Sequence, residues 1–316
     1  MIDFRYHLVS TIAIFMALAL GIVVGTTQLN DQVLDNLKSS ISSLTSDKRN
    51  LESTTRTLQS DVSDADAFIA STAADLVAGT LQGETVLLVT APGAPSELAG
   101  ELAPLLEQAG ATVIGRLRLQ PALLDGTRGQ ELDDLSTRVR PPAVELPAGE
   151  PVDRAAVVLA EALVREPSDT GISEAAAETV LGGFAGEDLV DLDREQGAAR
   201  RATLAVVLVP AVGEQPPTEA EQVRLRSVLA VAKAFDARSR GVVVAGPLDA
   251  SRDAGVLEAL REDAALSEEI SGVDSVDRPL GQVLAVRALA DELRGVSGRY
   301  GSGPGAQPVV PTPAPS

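Results

Sequence analysis

Hydrophobic and polar residues follow three successive patterns along the chain, and the first is an apolar run near its start. No charged residue occurs between Leu8 and Asn30, and about 20 apolar residues suffice for a helix to cross a bilayer. The run predicts a short cytoplasmic N-terminus over residues 1–7 and a single transmembrane helix over residues 8–27. A cleaved signal peptide is the alternative, because Ala17-Leu18-Ala19 matches a signal-peptidase site. The apolar run continues past that site, which favours an uncleaved anchor.

Small residues recur at every fourth position of this predicted helix and share one face. Such a face lets a second helix approach closely within a membrane. The alternative is that alanine and glycine are simply common in membrane helices. The residues expected to pack against another helix are Ala13, Ala17, Gly21 and Gly25.

The second pattern is an apolar residue at alternating spacings of three and four, which is typical of a coiled coil. We expect this coiled coil to occupy residues 28–78, where no proline or glycine interrupts the helix. A long amphipathic helix packed on the chain's own globular domain is the alternative. The apolar seam is predicted to consist of Leu34, Leu37, Ile41, Leu44, Leu51, Leu58, Val62, Ile69 and Leu76.

Charges beside this seam bear on its partner. A parallel homodimer would set Asp47 against Glu52 and Asp61 against Asp66, and each like-charged contact costs about a few tenths of a kcal/mol. The seam also lies on a different side of the helix from the small-residue face. We therefore expect at least one face to contact a different protein, with Glu52 and Asp61 as partner-facing candidates, while a homo-oligomer stays open.

The third pattern alternates strands and helices and predicts an α/β domain over residues 83–294, with helices on a mostly parallel sheet in three layers. Strands at 85–90 and 111–117 flank a helix at 96–109 that Ser96 is expected to cap. We expect a helical insertion over about 121–201 and a disordered tail at 295–316 that is rich in glycine and proline. The remaining predicted strands are 204–209, 241–245 and 273–276, and the remaining helices are 218–238 and 280–293.

The composition narrows the possible partners. The chain has 316 residues, of which 45% are hydrophobic and only 2% aromatic, so its core must be aliphatic. Its net charge of −19 argues against nucleic-acid binding, because phosphates require a basic surface. It contains no cysteine, which excludes disulfides and thiolate sites.

Candidate catalytic chemistry is sparse. The one histidine, His7, precedes the apolar run, so a Ser-His-Asp triad in the α/β domain is excluded. The loop at residues 91–96 lacks the glycine spacing of a nucleotide-binding loop. Adjacent carboxylates such as Asp133 and Asp134 are far more often solvated surface than an acid–base pair. We therefore expect no catalytic residue, no metal site and no cofactor, and thus no enzyme.

Residues near both ends of the chain resemble one family. Arg5-Tyr6-His7-Leu8-Val9-Ser10 with residues 17–25, and residues 272–282 with Tyr300-Gly301, resemble the actinobacterial MctB family. The order of anchor, coiled coil and α/β domain is similar as well. The resemblance implies mycobacterial copper transport, since the family is labelled an outer-membrane copper transport protein. It also implies a relation to corynebacterial SteB proteins, which serve cell separation, pair with the membrane protein SteA and control a peptidoglycan hydrolase.

The copper implication conflicts with the available metal ligands. Cu(I) prefers cysteine, methionine and histidine, and the chain offers only His7, Met1 and Met16. These residues cannot form a tight copper site outside the membrane, and a single helix cannot line a pore.

We therefore expect a non-enzymatic, membrane-anchored scaffold or regulator of peptidoglycan hydrolysis in cell separation. It would contact a SteA-like regulator or a hydrolase through its coiled coil and α/β domain, and copper would be involved only indirectly. Copper transport and resistance across the envelope is the alternative, and a cell-wall-acting enzyme is a third possibility. The expected location is the cell membrane, with a single pass and most of the chain outside the cytoplasm. The outer membrane of a mycolate-type envelope is the alternative location.

Overall fold

The computed structural model describes residues 4–124, 126–168, 171–194, 201–213, 217–252 and 254–307, with the backbone only for residues 26–34. The chain divides into two compact units, Met1–Ala65 and Asp66–Ser316.

One helix, α1, spans Phe4–Val77 and makes up the described part of the first unit. No proline occurs within it, so each peptide N–H after the first turn can donate to the carbonyl of the preceding turn. The helix stops where Gly79 adopts a positive φ of 69°, a conformation that glycine reaches without steric cost and that ends many helices. This helix includes residues 28–77 of the predicted coiled coil, and its pairing with another helix stays a prediction.

The second unit contains an α/β domain, as predicted. The described strands form a seven-stranded sheet in the order β3-β2-β1-β4-β5-β6-β7, which is parallel except between β2 and β3. The central strands β1, β4 and β5 are almost wholly buried, as expected for a parallel sheet covered on both faces. The strands are β1 Thr85–Thr90, β2 Thr112–Leu119, β3 Val190–Arg194, β4 Leu204–Leu208, β5 Val242–Ala245, β6 Ser271–Val273 and β7 Arg299–Tyr300.

Helices cover both faces of this sheet and give the predicted three layers. On one face, helices α2 and α10 and the end of α1 pack on alternate strand residues such as Val86, Leu88 and Val206. On the other face, helices α3 to α8 pack on Leu87, Val207 and their neighbours. The helices are α2 Glu97–Gln108, α3 Pro121–Leu124, α4 Gly129–Val139, α5 Pro151–Leu163, α6 Glu174–Gly186, α7 Glu219–Asp236, α8 Val256–Glu262, α9 Ala264–Glu269 and α10 Pro279–Glu292, with a 3₁₀ turn at Leu248–Ser251.

The predicted helical insertion over residues 121–201 is correct for α3 to α6 but misses an edge strand. β3 pairs antiparallel with β2 in this region. Its sequence alternates Asp191 and Asp193 with apolar residues, so it lacks the continuous apolar run that marks the buried strands. Charged side chains of this kind protect a sheet edge from pairing with another chain.

Two local predictions are also wrong. Ser96 precedes α2, but its side chain makes no capping hydrogen bond because its backbone (φ −64°, ψ −26°) is already helical rather than extended. Strand β6 ends at Val273 instead of running over residues 273–276. The chain turns there, since Ser275 has a positive φ of 60°.

The predicted disordered tail begins too early. Strand β7 continues the sheet beside β6, and residues 301–307 follow it in a defined conformation. Gln307 donates its backbone N–H to the Arg299 carbonyl, and the Gly303 N–H donates to Asp274. A buried acceptor can thus order a glycine-rich segment that has few apolar side chains of its own. The rest of the predicted tail, residues 308–316, lies outside the described residues.

Candidate functional site

The N-terminal part of α1 is long and apolar enough to cross a membrane. The candidate span is Phe4–Gly25, 22 residues, which begins four residues earlier than predicted. Ala13 and Ala17 are exposed, and a Cβ added at Gly21 or Gly25 would meet no other atom within 4 Å. The small-residue face is therefore open within this unit, and its role in helix packing stays a prediction.

The apolar seam of the first unit is exposed along the part of α1 whose side chains are described. Its six residues there are each between 45% and 68% exposed, far more than core residues of the α/β domain. Leu34 lies outside the described side chains. The described seam residues are Leu37, Ile41, Leu44, Leu51, Leu58 and Val62.

The last turns of α1 belong to the second unit and behave differently. Ile69 packs partly buried against the α/β core, and Val77 is fully buried there. Asp66 accepts two hydrogen bonds from Arg278, at 3.1 Å from Nε and 3.0 Å from Nη2. Leu76 remains 49% exposed. The alternative of a helix packed on its own domain thus holds for residues 66–77, and Asp66 is engaged within its own chain.

The two partner-facing candidates of the coil, Glu52 and Asp61, are both exposed. Glu52 lies 3.6 Å from the Lys48 ammonium and 4.0 Å from the Arg56 guanidinium, one helical turn away on either side. Exposed pairs at this spacing contribute little to stability, about 0.3–0.5 kcal/mol. Both carboxylates are therefore accessible to another protein, and contact with a partner stays a prediction.

A buried ion pair fastens residues 300–304 to the sheet. Arg261 donates from Nη2 to Asp274 at 2.8 Å, and the two side chains are 4% and 0% exposed. Arg261 also donates to the carbonyls of Tyr300 and Pro304, at 2.9 and 2.7 Å. Asp274 accepts further bonds from the Ser302 and Gly303 N–H groups. We call these residues, with Ser275, the C-terminal latch.

Electrostatics in the latch favour a charged carboxylate. Burial by itself would raise the pKa of Asp274. Hydrogen bonds from the Ser302 N–H, the Arg261 guanidinium, the Ser275 hydroxyl and the Gly303 N–H outweigh burial and hold the pKa below its usual value. The latch uses all of these donors to bind the chain itself, which indicates a structural role.

Residues of the C-terminal sequence resemblance form this junction. Asp274 and Ser275 belong to the latch, and Arg278 binds Asp66. A Cβ added at Gly281 would overlap the Ser275 carbonyl oxygen. Gly301 has a positive φ of 130°, and a Cβ there would overlap the Asp274 carboxylate. The motif therefore joins α1, β6 and β7, and nothing in its geometry indicates catalysis.

A second buried carboxylate lies at the opposite, amino-terminal edge of the sheet. Glu292 accepts hydrogen bonds from the Ser271 N–H at 2.8 Å and from the Ser271 hydroxyl at 2.5 Å. Burial raises the pKa of Glu292 to about 7, and the nearby Asp236 adds to the effect. Burial, with Glu269 nearby, raises the pKa of Asp236 to about 6. Among the described residues no group of three or more potential ligands could hold a metal ion.

The α/β domain also has a large cavity at the carboxyl ends of its central strands. It measures about 870 Å³ and lies between the loops after β1 and β4, near Pro92 and Pro210. Arg224 of α7 lines it together with several apolar residues. The sequence pattern did not single out Arg224, because one arginine on an amphipathic helix is ordinarily surface.

Comparison with known proteins covers both units. The family described as "Copper transport outer membrane protein, MctB" matches residues 1–311. The chain belongs to the MctB family. The "Copper transporter MctB" of Mycobacterium tuberculosis is 27% identical over 317 residues, covering 98% of this chain and 99% of the relative, and that of Mycobacterium bovis matches equally. The Mycobacterium leprae protein of the same name is 28% identical over 322 residues, with the same coverage.

MctB membership confirms the resemblance seen in the sequence and supports association with a membrane. The copper transport alternative agrees with the names of these relatives. The comparisons contain no reference to cell separation, to a SteA-like partner or to a peptidoglycan hydrolase.

Proposed function

We propose that this MctB protein contributes to copper transport across the cell envelope as a non-enzymatic, membrane-anchored assembly protein. It would act by pairing its coiled-coil segment with another chain. The observation that carries the proposal is the exposed apolar seam from Leu37 to Val62. The choice of copper transport as the process rests on the names of the mycobacterial relatives.

The seam has enough apolar surface to drive pairing. Burying a large aliphatic side chain fully is favourable by about 1.5–3 kcal/mol, and these six are already half covered by their own helix. Each would then contribute roughly 1 kcal/mol. Two such seams supply on the order of 10 kcal/mol, which exceeds the lower estimates of about 4 kcal/mol for the cost of association.

A supporting role in transport suits the residues of the chain better than conduction. Cu(I) binds thiolate, thioether and imidazole groups, and this chain has no cysteine, one histidine and two methionines. Among the described residues one helix is long and apolar enough to cross a membrane, and one helix by itself has no second wall for a pore. The protein would therefore hold or position other components through which the ion passes.

The proposal is tested by complementing a strain that lacks the protein. Leu44→Asp with Leu51→Asp places two charges in the seam, while Ser46→Asp with Ser53→Asp places the same charges two residues further along, away from it. We expect the seam variant to fail, so that cells accumulate copper and lose copper tolerance, while the control restores both. Mass spectrometry of the metal content measures the first effect. Full complementation by a stably expressed seam variant would contradict the proposal.

Regulation of peptidoglycan hydrolysis in cell separation is the second candidate. It is favoured by the same exposed seam and by the accessible carboxylates of Glu52 and Asp61, which suit a protein that binds other proteins. Photo-crosslinkers at these two positions in living cells, followed by mass spectrometry, distinguish the candidates. Capture of a hydrolase or of a membrane regulator supports cell separation, and capture of metal-export components supports copper transport.

The location of the anchor is part of the proposal. The apolar helix of 22 residues found in the described part of the chain suits the inner membrane, with most of the chain outside the cytoplasm. The family description instead names the outer membrane. Fractionation of inner and outer membranes, with protease added to intact cells, decides between the two locations. Recovery with the outer membrane would refute the inner-membrane assignment.

A further inference from the structure

The large cavity of the α/β domain lies at the point where the sheet reverses its strand order. From β1 the chain passes through α2 to β2 on one side, and from β4 it passes through α7 to β5 on the other. Helix α2 packs on one face of the sheet and α7 on the opposite face. The loops after β1 and β4 therefore diverge and leave a crevice between them. Open α/β sheets bind their ligands in a crevice of this kind, at the carboxyl ends of the strands.

The crevice is preformed and largely apolar. Its volume of about 870 Å³ falls within the range of roughly 300–1,000 Å³ typical of small-molecule sites. Gly93 has a positive φ of 84°, and a Cβ added there would lie 3.5 Å from the Cβ of Pro210, an ordinary van der Waals contact between the two loops. Apolar lining residues include Pro92, Pro121, Leu124, Pro210, Leu225 and Val228.

Arg224 gives this apolar crevice a positive charge. It is the only cationic side chain among the described residues that line the cavity. Its Nε is buried and has no hydrogen-bond partner. A buried donor of this kind normally has an acceptor, and a guanidinium matches the geometry of a carboxylate or a phosphate.

The neighbouring carboxylate is committed to another role. Glu221 accepts from the Thr218 N–H and hydroxyl, each at 2.7 Å, and so caps the start of α7. These hydrogen bonds, led by that of the hydroxyl, lower the pKa of Glu221, and the nearby charge of Arg224 adds a smaller effect in the same direction. No hydrogen bond between Glu221 and Arg224 is among the described contacts, and the Nε of Arg224 stays without a partner there. Arg224 is thus available to a ligand that enters the crevice.

We propose that this crevice binds a small amphiphilic molecule with a single carboxylate or phosphate. The anionic group binds Arg224, and the apolar body packs among the proline and leucine side chains. This binding site goes beyond the role proposed for the coiled coil and does not depend on it.

The test uses the full chain in lipid nanodiscs, three naphthalene probes with different polar groups, and one anion that has no apolar body. The probes are 2-naphthoate, 2-naphthyl phosphate, neutral 2-naphthylmethanol and inorganic phosphate. Hydrogen–deuterium exchange locates binding, and titration of the protection gives the affinity. We expect at least one anionic naphthyl probe to protect peptides that contain residues 90–96, 204–213 and 218–228. Whichever of 2-naphthoate and 2-naphthyl phosphate binds more tightly identifies the preferred anionic group.

Two matched variants test the role of the guanidinium. Arg224→Leu removes the charge but keeps an aliphatic side chain, and Arg226→Leu makes the same change at an exposed arginine two residues away. We expect Arg224→Leu to weaken binding of the anionic probe at least tenfold, Arg224→Lys to restore part of it, and Arg226→Leu to have less than a twofold effect. Exchange in β5 and β6 confirms that each variant is folded.

Several results would overturn the proposal. One is equal binding of 2-naphthylmethanol and the anions, because Arg224 would then have no role. Another is binding of inorganic phosphate as tight as that of 2-naphthyl phosphate, because the apolar lining would then contribute nothing. Protection confined to α1, or undiminished binding by Arg224→Leu, would also refute it.

Discussion

The buried carboxylate of Glu292 should make the stability of the α/β domain depend on pH. Its side chain is 7% exposed, and its pKa rises from 4.5 to about 7 in the folded protein. The folded state therefore binds a proton between these two values while the unfolded state does not. The free energy of unfolding must then fall as pH rises through this interval.

The size of this effect follows from the difference between the folded and unfolded pKa values. A difference of one pKa unit corresponds to about 1.4 kcal/mol, so Glu292 accounts for at most roughly 3 kcal/mol between pH 4.5 and 8. Asp236 faces it, has a pKa raised to about 6 and changes stability in the same direction. Tyr300 is also near, with Asp291 bound to its hydroxyl. Because these groups interact, we expect a measured change of about 1–3 kcal/mol.

Glu292→Gln isolates the contribution of this one group. The amide keeps an oxygen that can accept from Ser271 but does not ionise. We expect the free energy of unfolding of the variant, minus that of the wild type, to increase by about 1–3 kcal/mol from pH 4.5 to 8. Urea unfolding followed by circular dichroism measures it on residues 66–316, a compact unit with apolar cores on both sheet faces. Glu262→Gln, at an exposed position, is the control.

A difference between variant and wild type that stays flat with pH would refute the assignment of a raised pKa to Glu292. A difference that decreases with rising pH would show that hydrogen bonds from Ser271 outweigh burial.

Three further perturbations test the described contacts. Arg261→Met leaves the Asp274 charge buried without its partner, so the free energy of unfolding measured in urea should fall by about 3–5 kcal/mol. A fall of less than about 1 kcal/mol would contradict a stabilising role of the C-terminal latch. Asp66→Asn weakens a half-exposed ion pair with Arg278, so we expect the free energy of unfolding to fall by at most about 1 kcal/mol. Hydrogen exchange should become faster only in residues 66–77. Gly281→Ala places a methyl group against the backbone of Ser275, whereas Gly100→Ala places one in open space. We expect the thermal midpoint of unfolding to fall further for Gly281→Ala than for Gly100→Ala, and equal falls would refute the clash.

Much of the fold could be predicted because the central strands are continuous apolar runs. β1, β4 and β5 are covered by helices on both faces, so their sequence is apolar throughout and stands out from its surroundings. β3 and β7 could not be predicted in this way. β3 is an edge strand with alternating charges, and β7 has two residues held by contacts with distant positions.

The end of the coiled coil shows a second limit of pattern reading. A spacing of three and four residues marks an apolar face but does not identify what covers it. Ile69 continues the seam of Leu58 and Val62 in sequence, yet it packs on the α/β core while the other two are exposed. The candidate binding site had no sequence signal of its own either. Arg224 gains its significance from the strand order, which leaves a crevice between the loops after β1 and β4.

The C-terminal latch has a consequence for how the protein is made. Arg261 and Asp274 are translated well before the Ser302 and Gly303 N–H groups that complete their hydrogen bonding. Until those residues leave the ribosome or a translocation channel, the carboxylate lacks two of its donors, and β6 has no neighbour on its outer edge. The α/β domain therefore completes its sheet only after Tyr300 has been synthesised and its latch only after Gly303. The anchor at Phe4–Gly25, in contrast, is among the first segments to be synthesised.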